Sequence, residues 1–224
     1  MTEKFVIHGG VPLHGEIVAA GNKNAALPIL AACLLTDEEV LLQNVPRIRD
    51  TEAQVAILDR MGVRVEWTAD NELRVQADAI SETAPDEELS ARIRASFLLA
   101  GPLLARFGEA RMPPPGGDFI GRRRLDPHLD AFIDMGATVE GSRWIEIAAP
   151  SGGLKPCSVF MDEPSVMGTE NALMAAALTP GPTTIANAAC EPHVQDLARL
   201  LVKMGARIDG IGSNVMTVHG RDKL

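Results

Sequence analysis

Apolar and polar positions along this chain state one pattern three times. A run rich in small apolar residues and poor in charge comes first, at 24–35, 89–107 and 168–178. Such a run predicts a helix packed on all sides. A short connection leads to strand-like segments at 40–45, 110–112 and 183–187. An amphipathic helix follows and stops at a Met-Gly pair: Met61-Gly62, Met135-Gly136 and Met204-Gly205. Glycine there supplies the left-handed conformation that ends a helix. Alternation then predicts a hairpin: 64–67 with 72–77, 138–140 with 144–148, and 207–209 with 215–219. The tips carry turn chemistry, Asp70-Asn71, Gly141-Ser142 and 210–214. Asp50 and Asp126 read as N-caps, with Pro127 as the first helical residue.

The Met-Gly pairs recur about every 70 positions, beyond the roughly 20–50 residues of solenoid repeats. The repeated object is therefore a small α/β unit. Units of about 21–80, 81–150 and 151–224 make one α/β domain, its sheets closed around a centre that holds the first helices. Residues 1–20 stand outside the repeat and predict an extra β segment, with strands at 5–8 and 16–18.

Composition narrows the partners. Aromatic residues are only 4% of the 224, so Leu, Ile, Val, Met and Ala must fill the core. A net charge of −9 argues against nucleic acid or a membrane surface as the main partner. A local Arg/Lys cluster can still hold a small anion. The apolar run 25–35 contains Pro28 and falls short of the roughly 20 residues needed to span a bilayer. The start, Met1-Thr2-Glu3-Lys4, has no signal-peptide layout. Cys33, Cys157 and Cys190 are odd in number and lack metal or redox spacing; the five histidines form no ligand set. The expectation is a cytoplasmic protein with no metal and no cofactor.

Three stretches look chemical. Gly21-Asn22-Lys23-Asn24 places a Gly loop and a Lys at the start of a helix, where free N–H groups and the helix dipole favour an anion. It is not a Walker loop, and a surface Lys beside an N-cap Asn is an equally good reading. The connection 113–124 of unit two is a Pro/Gly-rich insertion that carries Asp118 and then Arg122, Arg123 and Arg124. It reads as a mobile loop meeting an anion, against the plainer alternative of a solvated basic turn. The stretch 162–171 puts Ser165 and Thr169 at the matching helix start of unit three, and Arg94 holds that place in unit two. In a pseudo-threefold domain these helix starts converge.

The segments GNKNAALPILAACLL, LQNVP, RASFLLAGPLLARFG, PGGDFIGRRRLDPH, PSVMGTENALMAAAL and NAACEP closely resemble the UDP-N-acetylglucosamine 1-carboxyvinyltransferase family of enolpyruvyl transferases, from about Phe5 to the end of the chain. The resemblance implies an inverse α/β barrel pair, with three βαβαββ units per domain. It implies transfer of enolpyruvate from phosphoenolpyruvate to the 3′-hydroxyl of UDP-N-acetylglucosamine, opening peptidoglycan synthesis and serving cell shape and division. Lys23 and Asn24 match the phosphoenolpyruvate-binding pair, and Arg94 an Arg of the nucleotide-sugar site. Arg123, Arg124, Leu125, Asp126 and Pro127 match the segment that touches the UDP moiety, with Arg123 as an active-site Arg. Glu163, Pro164, Ser165 and Val166 match a further UDP-sugar segment.

This chain departs from the family pattern at three places. Asp118 stands where a catalytic Cys is usual, which implies a proton-donating carboxylate and insensitivity to fosfomycin, an epoxide that alkylates that Cys. Glu163 stands where Lys is common, and Met167-Gly168 where Gly-Ala is usual. Members of the family are roughly twice this long. The chain therefore reads as an N-terminal half, lacking the C-terminal domain that supplies the general-base Asp and packs against residues 1–20. The alternative is a non-catalytic nucleotide-sugar-binding or regulatory module. A sister enzyme acting on shikimate phosphate is disfavoured by GNKNAALP.

Overall fold

In the computed structural model, which describes residues 4–118, 121 and 123–224, the three Met-Gly pairs close their helices in the same way. Gly62 N–H donates to Asp59 O and Val63 N–H to Leu58 O, both at 3.0 Å. Gly136 and Ala137 repeat this with Ile133 and Phe132 at 2.8 and 2.9 Å, and Gly205 and Ala206 with Val202 and Leu201 at 3.1 and 3.0 Å. The glycine φ angles are 90°, 92° and 114°, where any side chain would strain the backbone.

Unit one contains α1 (Lys23–Ala32), which tightens into a 3-10 turn over Cys33–Leu35, then β1 (Glu39–Gln43), α2 (Arg49–Arg60), β2 (Arg64–Ala69) and β3 (Glu72–Gln76). Unit two contains α3 (Glu87–Ser90), a 3-10 turn over Arg94–Leu99, α4 (Ala100–Phe107), β4 (Glu109–Met112), α5 (Asp126–Asp134), β5 (Thr138–Glu140) and β6 (Ile145–Ala148). Unit three contains β7 (Ser158–Phe160), α6 (Val166–Ala177), β8 (Gly181–Ala186), α7 (Pro192–Lys203), β9 (Arg207–Asp209) and β10 (Val215–Gly220). The sheets run β1-β3-β2, β4-β6-β5 and β7-β8-β10-β9. All share one order, with the second hairpin strand in the middle. Among the described residues only unit three has a paired leading strand, β7 lying parallel to β8 with Val159 beside Ile185. Unit two has a trace of one, a 3.5 Å contact from Arg111 N–H to Thr83 O.

Each sheet turns one face inward through alternation: Leu42 opposes Leu73, Ala110 opposes Ile147, and Met216 opposes Ile185. All six are buried. The interior is helical. Residues Gly168 to Ala177 of α6 are buried without a break, and α1 buries every position from Ala25 to Ala32 except Ile29. α1, α6 and the 3-10 turn of unit two touch one another, and α4 packs on α6. The outer helices bury only a stripe, such as Val194, Leu197, Ala198 and Leu201 on α7. Sheets outside and helices inside are the inverse α/β barrel arrangement, built largely from small and aliphatic side chains as the low aromatic content requires.

Four expectations change. The helix expected over 89–107 is broken at 91–93 and wound as 3-10 over Arg94–Leu99. Ser96 Oγ bonds the carbonyls of Ser90 and Ile93, the Asn171 side chain takes Phe97 O, and Pro102 has no N–H to continue an α ladder. Asp50 and Asp126 are not N-caps. They lie inside the first turns of α2 and α5, whose N-cap positions are Ile48 and Leu125, so Pro127 is the second helical residue. Thr51 Oγ1 accepts from Ile48 N–H instead. Residues 4–20 form no strand, and Phe5, Ile7, Leu13, Ile17 and Val18 are exposed. A strand needs an edge to pair with, and these residues meet none here.

Candidate active site

Close backbone packing sets the first helix start. A Cβ on Gly21 would lie 1.8 Å from Asn44 O, so only glycine lets the chain enter α1 against the end of β1. Asn44 itself takes a positive φ of 59°, which Asn tolerates. Asn22 caps α1 by accepting from Ala25 N–H at 3.2 Å. Lys23 is then the first helical residue, and its Nζ lies 2.9 Å from Asp50 Oδ2 at the start of α2.

Unit two presents its cation through the break in its helix. The insertion docks on that break: Gly116 N–H donates to Ser90 O at 3.0 Å. A Cβ on Gly116 would meet Ala91 O at 1.7 Å, and Gly117 sits at φ 93° against Arg94 N. These two glycines therefore let the loop lie on the backbone and deliver Asp118 beside Arg94. Arg94 Nη2 donates to Arg123 O at 2.8 Å and to Arg124 O at 3.2 Å, tying the far limb of the loop to the same place. Burial, and next the charge of Arg123, lowers the pKa of Arg94. An anion between the two guanidinium groups would relieve both effects. The middle of the loop, Phe119, Ile120 and Arg122, lies outside the described residues.

In unit three Ser165 caps α6, accepting from Gly168 N–H at 3.1 Å. The N–H groups of Val166 and Met167 precede the helix ladder and face the positive end of its dipole.

These pieces line two adjoining cavities. The first, of about 180 Å³, has Lys23, Asn24, Asp50, Arg94, Asp118 and Arg123 in its wall. The second, of about 320 Å³, is lined by Arg94, Arg123, Arg124, His128, Glu163, Ser165, Val166 and Met167. Arg94, Arg123 and Met167 belong to both. A phosphate or carboxylate in the first cavity and a diphosphate in the second would share two arginines. Arg124 is held by Asp126 Oδ1 at 2.8 Å, and that bond raises its pKa. A larger cavity of about 570 Å³ lies over the sheet of unit two, but its one arginine, Arg111, is paired with Glu146 at 3.2 Å.

Of the residues picked from sequence, Lys23, Asn24, Arg94, Asp118 and Arg123 meet in the first cavity, and Arg124, Glu163, Ser165 and Val166 join Arg94 and Arg123 in the second. Leu125, Asp126, Pro127 and Pro164 line neither. Pro127 packs under α6, where a Cβ on Gly168 would touch it at 3.0 Å. Thr169 turns away: it is fully buried, and its Oγ1 accepts from Ala189 N–H at 3.0 Å. Sequence reading passed over Asp50, Met167 and His128 as site residues. His128 was visible as the last letter of PGGDFIGRRRLDPH, but a lone His carries no spacing signal. Among the described residues no group of three or more His, Cys, Asp or Glu is arranged to hold a metal, and no helix is long and apolar enough to cross a membrane.

Comparison with known proteins gives the family of the chain. The EPSP synthase (3-phosphoshikimate 1-carboxyvinyltransferase) family matches residues 7–224. The UDP-N-acetylglucosamine 1-carboxyvinyltransferase of Bradyrhizobium diazoefficiens is 55% identical over 97% of this chain and 50% of its own length. That of Treponema denticola is 47% identical over 99% of this chain and 51% of its own. The chain thus spans about half the length of the curated relatives it matches. Among solved structures, the enolpyruvyl transferase NikO from Streptomyces tendae superimposes with a TM-score of 0.81 at 27% identity, covering 96% of this chain and 50% of NikO. EPSP synthase from Acinetobacter baumannii shares the fold, with a TM-score of 0.72 at 19% identity over 94% of this chain and 48% of its own. The chain belongs to the EPSP synthase family of carboxyvinyltransferases and is similar, across nearly all its length, to the N-terminal half of UDP-N-acetylglucosamine 1-carboxyvinyltransferases.

Proposed function

We propose that this chain is the loop-bearing half of an enzyme that transfers enolpyruvate from phosphoenolpyruvate to the 3′-hydroxyl of UDP-N-acetylglucosamine. The observation that carries the reading is the meeting of Lys23, Arg94, Arg123 and Asp118 around one small cavity that opens beside a second basic one. Lys23 and Arg123 hold the phosphate and carboxylate of phosphoenolpyruvate. Arg94, Arg124, Val166 and the Ser165 helix start hold the nucleotide sugar in the adjoining space.

The chemistry needs a proton placed on C3 as the sugar oxygen bonds to C2. Asp118 donates it. The resulting tetrahedral adduct loses a C3 proton and expels phosphate, which restores the double bond. A base must take the proton from the sugar hydroxyl, and the C-terminal domain supplies it. In the cell this is the cytoplasmic entry to peptidoglycan synthesis, on which cell shape and division depend.

The test pairs the chain with the complete protein. The complete protein should release phosphate only when both substrates are present, and the 224-residue chain should release none. Calorimetry should give the chain weak affinity for UDP-N-acetylglucosamine, because a ligand held between two domains loses much of its burial with one. Turnover by the chain alone, or sub-micromolar binding, would refute the half-site reading. Binding without turnover by the complete protein would favour a non-catalytic nucleotide-sugar module.

A further inference from the structure

Three of the four hydrogen-bonding directions of the buried Asn171 side chain, including both of its N–H groups, are assigned by neighbours. Its Oδ1 accepts from Gly101 N–H at 2.9 Å, and its Nδ2 donates to Phe97 O at 2.9 Å. A backbone N–H only donates and a carbonyl only accepts, so the amide has one orientation. The second Nδ2 hydrogen meets Nδ1 of His128 at 2.8 Å. That ring nitrogen must accept, and a neutral imidazole accepting at Nδ1 carries its proton on Nε2. An imidazolium would set N–H against N–H.

The ring has little freedom to choose otherwise. His128 is 2% exposed and stands edge-on to Phe97, with centroids 5.1 Å apart at 81°. Burial, and next the charge of Arg94, pushes its pKa down to about 3. Its Nε2 has no partner among the described residues, yet the ring lines the second cavity beside Arg94, Arg123, Arg124 and Ser165. That nitrogen is not among the sealed polar atoms, so it keeps access to the cavity, where an anionic oxygen can take the place of water as its acceptor.

We propose that Asn171 locks His128 as a neutral Nε2–H donor, and that this proton bonds an anionic oxygen of a diphosphate-bearing ligand in the second cavity. The proposal rests on the nucleotide-sugar reading above and adds to it a binding residue, His128, and a positioning residue, Asn171. A neutral donor gives the cavity a directional contact without a fourth positive charge. Asn171 also holds Phe97, within the 3-10 turn that starts at Arg94, and Gly101, in the first turn of α4. The tautomer and the placement of that arginine thus share one side chain.

The test is nuclear magnetic resonance on the chain labelled with 15N-histidine, with uridine diphosphate as probe at millimolar concentration and uridine as control. The free chain should show His128 neutral, with a pyridine-like Nδ1 and a protonated Nε2, from pH 5 to 8. Uridine diphosphate, not uridine, should move the Nε2 proton downfield. A protonated Nδ1 or an imidazolium in the free chain overturns the Asn171 role. Displacement of the Val166 and Met167 amides with His128 unmoved overturns the ligand role. If nothing in the cavity responds, the nucleotide-sugar reading fails and the ligand role with it, while the tautomer is judged by the free chain alone. Asn171→Asp, which accepts where Asn donates, should transfer the proton to Nδ1 and weaken uridine diphosphate binding on the order of tenfold. A folded Asn171→Asp chain with the original tautomer and affinity refutes the proposal. Should that variant not fold, the unaltered chain decides by itself.

Discussion

Lys23 and Asp50 start neighbouring helices, lie 27 positions apart in sequence and form an ion pair of 2.9 Å across the mouth of the first cavity. Both are substantially exposed, at 46% and 39%, so the pair itself adds little stability. Its effect is on binding. An incoming phosphate must take Lys23 away from Asp50, or accept the carboxylate as a neighbour of like charge. Asp50→Asn should therefore raise the affinity of the chain for inorganic phosphate about two- to fivefold, within the range of an exposed pair. A calorimetric titration showing weaker binding would mean that Asp50 orients Lys23 rather than competing for it.

Asp118 stands at the end of the docked glycine limb and lines the cavity with Lys23 and Arg123. In the complete enzyme Asp118→Asn should abolish turnover, since an amide has no proton to give at C3. Asp118→Cys should keep activity and become sensitive to fosfomycin, because a thiolate opens the epoxide far faster than a carboxylate. Mass spectrometry would read the adduct. Covalent labelling of the unaltered enzyme, or full activity of the Asn variant, would remove Asp118 from the mechanism.

Two buried groups should shape stability against pH in opposite senses. Burial, and next the charge of Glu191, raises the Glu170 pKa well above the usual 4.5, and its Oε1 has no partner among the described residues. The folded state therefore holds the Glu170 proton more tightly than the unfolded state, and stability falls as pH rises above 4.5. Glu170→Gln should remove that decline, so its melting temperature gains on the unaltered chain as pH rises from 5. His128 does the reverse, from an ordinary 6.5 to about 3 when folded. Its contribution is present above 6.5 and is lost as pH falls to 3. At about 1.4 kcal/mol per pKa unit this is roughly 5 kcal/mol. His128→Gln should flatten that acid limb. Parallel curves for either variant and the unaltered chain would contradict the assignment.

Arg106 joins two units of the fold. Its Nη1 lies 2.8 Å from Leu34 O, 3.0 Å from Thr36 O and 2.8 Å from Ala77 O. Two hydrogens serve three carbonyls, so one bond is shared, and the carbonyls belong to the end of the first helix and the end of the first hairpin. Arg106→Ala should cost about 2–4 kcal/mol in chemical denaturation, because charged hydrogen bonds are lost and carbonyls are left half-buried. Arg106→Lys should recover less than half of it, lacking the planar fork. A loss below about 1 kcal/mol in the Ala variant would show that water replaces the guanidinium.

The repeat, the Met-Gly helix closures and the inward faces were legible in the chain itself, while the starts of α2 and α5 were not. Met-Gly closures, small-residue helices and alternating hairpins are local patterns, set by glycine φ and by period, and each unit carries its own copy. The gathering of Lys23, Arg94, Arg123 and Asp118 was half legible: the equivalent positions could be matched, and a threefold arrangement brings helix starts together. What the chain did not disclose depends on contacts between residues far apart in sequence, within units as well as between them. The 3-10 turn that starts at Arg94 is held in part by Asn171 of another unit, whose Nδ2 donates to the Phe97 carbonyl. Asp50 joins the site because the starts of α1 and α2 meet, and Thr169 leaves it because Ala189 N–H claims its hydroxyl. The state of His128 follows from the same buried amide. The hydrogen-bond partner of a buried polar group is chosen by whatever the fold sets within about 3 Å of it, and only the tertiary structure supplies that neighbour.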